Sequence, residues 1–167
     1  MTRGSTARLA ATLVCGLLVG GAASGCSLLG GDSGKVAVFD VQPGDCLASE
    51  EKVQAQISEL EVVPCEEQHA QEAYARISYR PPGAPADADE ADENADFPGD
   101  DALVSFADGA CATAFGEYVG VDYLDSELFF SYLMPTPRSW EDDDREVLCV
   151  LTGAGQPLEG SMKGAAR

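Results

Sequence analysis

The chain has 167 residues, 45% of them hydrophobic, and a formal charge of −19 from 29 carboxylates against 10 basic side chains. So acidic a chain offers nucleic-acid phosphates too few Lys and Arg partners and gains nothing from an anionic membrane surface. With one Trp, five Tyr and six Phe it can build a modest core, which excludes a wholly disordered chain.

Arg3 and Arg8 precede an apolar run from Leu9 to Ala23. The run is too short and Gly-rich for a membrane span, which takes about 20 apolar residues, and it fits a secretory signal ending in small residues. Ala23-Ser24-Gly25-Cys26 resembles a bacterial lipobox. The expectation is a signal over 1–25, acylation of Cys26, and a membrane-bound protein on the extracytoplasmic face. Each buried CH₂ contributes about 0.8 kcal/mol, and two or more acyl chains hold stably where one does not. Without Arg3 and Arg8, eight basic side chains face 29 acidic ones, a charge of −21, so only lipid holds the domain there. The tether over 26–34 is short; the eight residues from Ser27 to Gly34 span roughly 15 Å root-mean-square.

Cys15 falls in the signal and Cys26 takes the lipid, leaving Cys46, Cys65, Cys111 and Cys149. Four cysteines in an oxidising compartment predict two disulfides and allow three pairings. Sequence neighbours favour Cys46–Cys65 and Cys111–Cys149. A zinc site fails on spacing, because no C-x₂₋₄-C pair is present.

Val36–Val41 reads as a strand, followed by a Pro43-Gly44-Asp45 turn into Cys46. A second strand is expected within Val53–Val63, broken by Pro64. Ala73–Tyr79 alternates, with Ala73, Ala75, Ile77 and Tyr79 on one face. Residues 80–101 form an acidic, Pro- and Ala-rich loop that cannot bury a core. Asp87, Asp89 and Glu90 are similar to the start of a calcium loop, but Ala91 holds a ligand position and Asp92 the Gly position.

Asp100 or Asp101 is placed to cap a helix running to about Tyr118. Its apolar stripe is Leu103, Phe106, Ala107, Ala110, Cys111, Ala114, Phe115 and Tyr118, with Gly120 as its stop. Leu128–Met134 is a strand stopped by Pro135. Ser139 is expected to cap a short turn through Trp140, with Glu141 to Asp144 in its first turn. Val147–Leu151 is the last clear strand, and a short one is expected near Leu158. With no βαβ repeat, the pattern predicts an α+β fold: a small antiparallel sheet, one main helix packed on it, and two disulfides. The domain spans 35–164, with 165–167 as a tail.

Chemistry is concentrated in Val62–Ala75, where Cys65, Glu66, Glu67, His69 and Glu72 surround the only histidine. A thiol enzyme would use Cys65 and His69, but a cysteine in a disulfide is no nucleophile. G-x-S-x-G is absent. The carboxylates would attract divalent cations weakly, and a solvated acidic surface explains them as well. No catalytic residue, cofactor or metal is expected. His69 with Glu72 reads as a structural hydrogen bond and Trp140 as core or a turn clamp; these three are also the residues that could edge a binding surface. Arg138 and Arg145 balance the acidic turn between them.

Several pieces together resemble the septum formation-related domain of actinobacterial envelope proteins. They are Val41–Cys46, Val63-Pro64-Cys65 with His69 and Glu72, and Cys111 with Phe115 and Tyr118-Val119-Gly120. Pro135-Thr136 with Ser139-Trp140, Arg145–Cys149, and Leu158–Ser161 with Gly164 complete the set. Gln68-His69-Ala70 departs from the family's P-H-D, and the acidic insertion is longer. The resemblance implies a lipid-anchored envelope module linked to septum formation, with an envelope or divisome protein as partner; it supplies no catalytic set.

Overall fold

The computed structural model describes residues 34–48, 59–84 and 95–167. The expected signal and lipobox, residues 53–58 of the second expected strand and the centre of the acidic loop lie outside those residues. Among the described residues, no helix is long and apolar enough to cross a membrane.

The strands are β1 (Gly34–Ala37), β2 (Cys46–Leu47), β3 (Glu59–Val63), β4 (Gln71–Ser78), β5 (Phe129–Leu133) and β6 (Glu146–Thr152). They form one sheet in the order β1-β3-β2-β4-β6-β5, with every pairing antiparallel. The helices are α1 (Asp100–Val119) and the short α2 (Pro137–Glu141). The expected α+β architecture is therefore the observed one, with both disulfides as paired from sequence: Cys46–Cys65 at 5.3 Å and Cys111–Cys149 at 5.7 Å between Cα atoms.

Helix α1 buries Leu103, Ala107, Cys111 and Phe115 of the predicted stripe, and Val119, one turn past Phe115, extends it. Most of this line packs with Val147, Cys149 and Leu151 of β6, and Cys111 is bonded to Cys149 within that layer. The opposite face of the sheet is covered too. Leu148 and Val150 of β6 join Val41, Leu47, Leu60, Val62 and Ala73 in a second cluster. A strand buried on both faces reads as an unbroken apolar run, which explains VLCVL.

Four local expectations are corrected. The strand expected over Val36–Val41 ends at Ala37, and Val38–Asp40 is a 3₁₀ turn. Arg76 fixes that turn, donating from one guanidinium nitrogen to the carbonyls of Phe39 at 2.6 Å and Val41 at 3.1 Å, while it ion-pairs with Glu146. In β4 the alternation breaks at a bulge between Ala73 and Ala75, which makes Tyr74 the extra residue. Ala73 thus faces the second cluster, while Tyr74, Ala75 and Ile77 share the α1 side.

The helix caps also differ. Gly99, at φ 91°, caps α1 because the chain enters in a conformation that side chains rarely adopt. Asp100 and Asp101 fall in the first turn, where they still favour the dipole. Thr136, not Ser139, caps α2; the two form a reciprocal capping box with Pro137 inside it. Glu141 to Asp144 therefore lie at the end of α2 rather than in its first turn.

Candidate functional site

His69 and Glu72 are set by backbone pairing before any side chain acts. Glu72 lies opposite Cys46 in the β2–β4 ladder. His69 forms a bridge with Leu158, its N–H donating to the Leu158 carbonyl at 3.1 Å and its carbonyl accepting from Leu158 N–H at 2.8 Å. The short strand expected near Leu158 is this bridge. The C-terminal segment then continues across the site, with Gly160 N–H donating to the Cys65 carbonyl at 2.7 Å.

Glu72 is 0% exposed. Its Oε1 accepts from the Tyr118 hydroxyl and from the Ser161 hydroxyl, each at 2.6 Å, and its Oε2 accepts from the Met162 N–H at 2.7 Å. A buried carboxylate is tolerable only when so bonded. Burial first, and then the hydrogen bond to Glu72 and its charge, hold the Tyr118 phenol well above the usual tyrosine range. One carboxylate thus ties β4, the end of α1 and the C-terminal segment together.

The last residues belong to this arrangement rather than to a loose tail. Gly164 N–H donates to the Tyr118 carbonyl and Ala166 N–H to the Val119 carbonyl, each at 2.8 Å. They satisfy carbonyls that a helix end leaves open. Gly120, at φ 90°, turns the chain out of α1 between them.

His69 is 1% exposed. Its Nδ1 lies 2.8 Å from the Glu67 carbonyl, which can only accept, so Nδ1 carries the proton. Nε2 is buried and has no hydrogen-bond partner among the described residues. A ring nitrogen, a Glu72 oxygen and the Cys46 sulfur all lie within 4.8 Å of one another. Cys65, the sequence's candidate nucleophile, is bonded to Cys46 and offers no thiolate.

Trp140 belongs to a separate cluster with Tyr79 and Leu103. Its indole N–H donates to the Ala95 carbonyl at 2.8 Å, and the Arg145 guanidinium stacks 4.0 Å above its ring. The three residues named as a binding edge are thus all interior, and Trp140 does not meet the other two. The expected hydrogen bond between His69 and Glu72 is not formed: the ring bonds the Glu67 carbonyl, and Glu72 takes its donors from Tyr118, Ser161 and Met162. Trp140 clamps the chain entering α1.

What faces solvent nearby is the loop from Gly153 to Pro157. A Cβ on Gly153 would come within 2.5 Å of the Gln156 carbonyl, so this tight loop requires glycine. On one side lies a shallow groove of about 290 Å³ lined by Gln68, His69, Ala70 and Gln156. On the other lies a depression of about 570 Å³ between Leu128, Phe129, Leu158 and Arg167. Phe129 is 50% exposed on β5, and Leu124 nearby in sequence is 88% exposed.

Sequence reasoning did not assign Tyr118, Ser161 or Met162 to Glu72. Local periodicity gives no sign of a contact across 89 residues. The available signal was the family resemblance, whose separate pieces include Tyr118, Glu72 and Ser161.

Fold and site together define a small, disulfide-stapled α+β domain with a braced polar interior. The chain belongs to the septum formation family, whose model matches residues 43–166. That membership points to a role connected with cell division. Searches of curated proteins and of solved structures return no match.

Proposed function

We propose that this protein is a lipid-anchored, non-catalytic interaction module of the cell envelope that serves septum formation by binding a protein partner. Cys26 carries the lipid and holds the domain at the extracytoplasmic face of the membrane. The observation that carries the reading is the three-donor bracing of Glu72. The most chemically suggestive stretch of the sequence is braced inside the fold, its carboxylate taking three donors and its Cys65 held in a disulfide. Family membership supports the link to septum formation.

The partner face is the solvent-facing ground around Gly153–Pro157 and Phe129, held by the pairing of Phe129 with Thr152 and of Leu158 with His69. Rigid placement of an exposed loop on a braced scaffold is how a binding surface is pre-organised. The anchor is tested by Cys26→Ala: wild-type chain is expected in the membrane fraction with incorporated fatty acid, and the variant in the medium without it. Equal membrane retention of the variant overturns the anchor.

A further inference from the structure

We propose that reduction of the Cys46–Cys65 disulfide opens a buried divalent transition-metal site, of the zinc class, on Cys46, His69 and Glu72. This inference is independent of the proposed partner-binding role.

The three donors are in place before any metal arrives. Cys46 and Glu72 are opposite one another on adjacent strands, and His69 is fixed three residues earlier by its bridge to Leu158. All three are buried, and their donor atoms lie within 4.8 Å of one another. Around tetrahedral zinc, bonds of about 2.0–2.3 Å put ligand atoms about 3.3–3.8 Å apart. The cluster therefore has to contract by about 1.5 Å at most, within the reach of side-chain adjustment.

The histidine already has the tautomer a metal requires. Nδ1–H is held by the Glu67 carbonyl, the kind of outer contact that orients ligating histidines. Nε2 is left with a lone pair, buried and unpartnered. A buried polar atom without a partner is costly, and among the described residues none donates to it. Oε2 of Glu72 accepts one hydrogen bond, from Met162 N–H, against two at Oε1, and a carboxylate oxygen has two lone pairs.

Only the thiolate is missing, because Cys46 is held in the disulfide. A dithiol reductant supplies it by exchange. Two electrons pass to the Cys46–Cys65 bond, both sulfurs become thiols, and the reductant leaves as its own disulfide. Binding M²⁺ then releases the Cys46 proton to solvent and forms the sulfur–metal bond. Thiolate, imidazole and carboxylate suit zinc, with water or the freed Cys65 as fourth ligand. The second disulfide stays closed, since Cys111 and Cys149 are both fully buried, whereas Cys65 is partly exposed.

The test uses the full chain in detergent, as oxidised wild type, as wild type reduced by a dithiol, and as Cys65→Ser. Each is loaded with Zn²⁺ and gel-filtered, and Co²⁺ is added in parallel to read thiolate charge-transfer absorbance. Reduced wild type and Cys65→Ser are expected to retain one equivalent of zinc, at least ~100-fold more tightly than the oxidised chain, and to show the cobalt–thiolate band. His69→Ala in either background is expected to weaken retention at least ~10-fold. Circular dichroism follows the fold, and if Cys65→Ser does not fold, the reduced wild type decides. Equal binding by the oxidised chain, no cobalt–thiolate band, indifference to His69→Ala, or unfolding of wild type on reduction would each overturn the proposal.

Discussion

Tyr118, at the end of α1, donates its hydroxyl hydrogen bond to Glu72 of β4 at 2.6 Å, joining residues 46 apart in sequence. Glu72 accepts two further donors from the C-terminal segment, so the pair is the centre of a three-way junction. Removing the carboxylate strands the buried Met162 N–H and takes the acceptor from half-buried Tyr118 and exposed Ser161, whereas removing one hydroxyl leaves Glu72 its other two donors. Glu72→Ala is therefore expected to lower stability by about 3–5 kcal/mol, and Tyr118→Phe by about 1.5–3 kcal/mol. Urea denaturation with an unchanged slope measures both. A loss below 1 kcal/mol for Glu72→Ala contradicts the junction.

Alkaline titration reads the same junction from the proton side. Burial raises the phenols of Tyr74 and Tyr118, and Glu72 raises that of Tyr118 further. Burial and the neighbouring Asp108 push Tyr132 up to about 12. Unfolded tyrosine titrates near 10. These groups hold their protons more tightly when folded, so their contribution is complete below about pH 10 and is lost as pH rises above it. Tyrosinate absorbance in the folded chain should lag behind that of the denatured chain, and stability should fall from about pH 10 upward. Superimposable titration curves would show that the phenols are not held as described.

The two disulfides differ in exposure, and this gives an order. Cys65 is partly exposed, while Cys111 and Cys149 are fully buried. Alkylation after graded reduction should label Cys46 and Cys65 first. The Cys46–Cys65 and Cys111–Cys149 separations of 19 and 38 residues correspond, in the loop-entropy model, to about 3 and 4 kcal/mol. Simultaneous labelling of all four cysteines contradicts the order.

Trp140 anchors the chain entering α1 through its indole N–H on the Ala95 carbonyl. Trp140→Phe keeps much of the packing with Tyr79 and Phe97 but loses that donor. The expected cost is about 1–2 kcal/mol, against about 3–5 kcal/mol for Trp140→Ala. Thermal melts of the two variants separate packing from the hydrogen bond, and equal losses would assign the whole effect to the lost indole N–H donor.

The elements were legible where one physical rule dominated. The stripe from Leu103 to Tyr118 and the positive-φ stop at Gly120 announce α1, and cysteine parity with nearest-neighbour pairing announces both disulfides. Misreadings arose where two rules competed. Thr136 and Ser139 each satisfy the preference for a helix cap, and Pro137 at the first helical position is what favours Thr136. Alternation in β4 cannot reveal the bulge that turns Tyr74 and Ala75 to the same side. Glu72 was recognised as polar scaffold, but its partners Tyr118, Ser161 and Met162 lie far along the chain, beyond any local pattern.

The central claim is that the protein works through a partner bound around the Gly153–Pro157 loop. A photo-reactive residue placed in intact dividing cells at Gln156 or at Phe129, with Glu59 near the opposite end of the sheet as control, tests it most directly. Capture of the same discrete envelope protein from Gln156 and Phe129, and not from Glu59, is the predicted result. No capture from either position, or the same capture from Glu59, would contradict it.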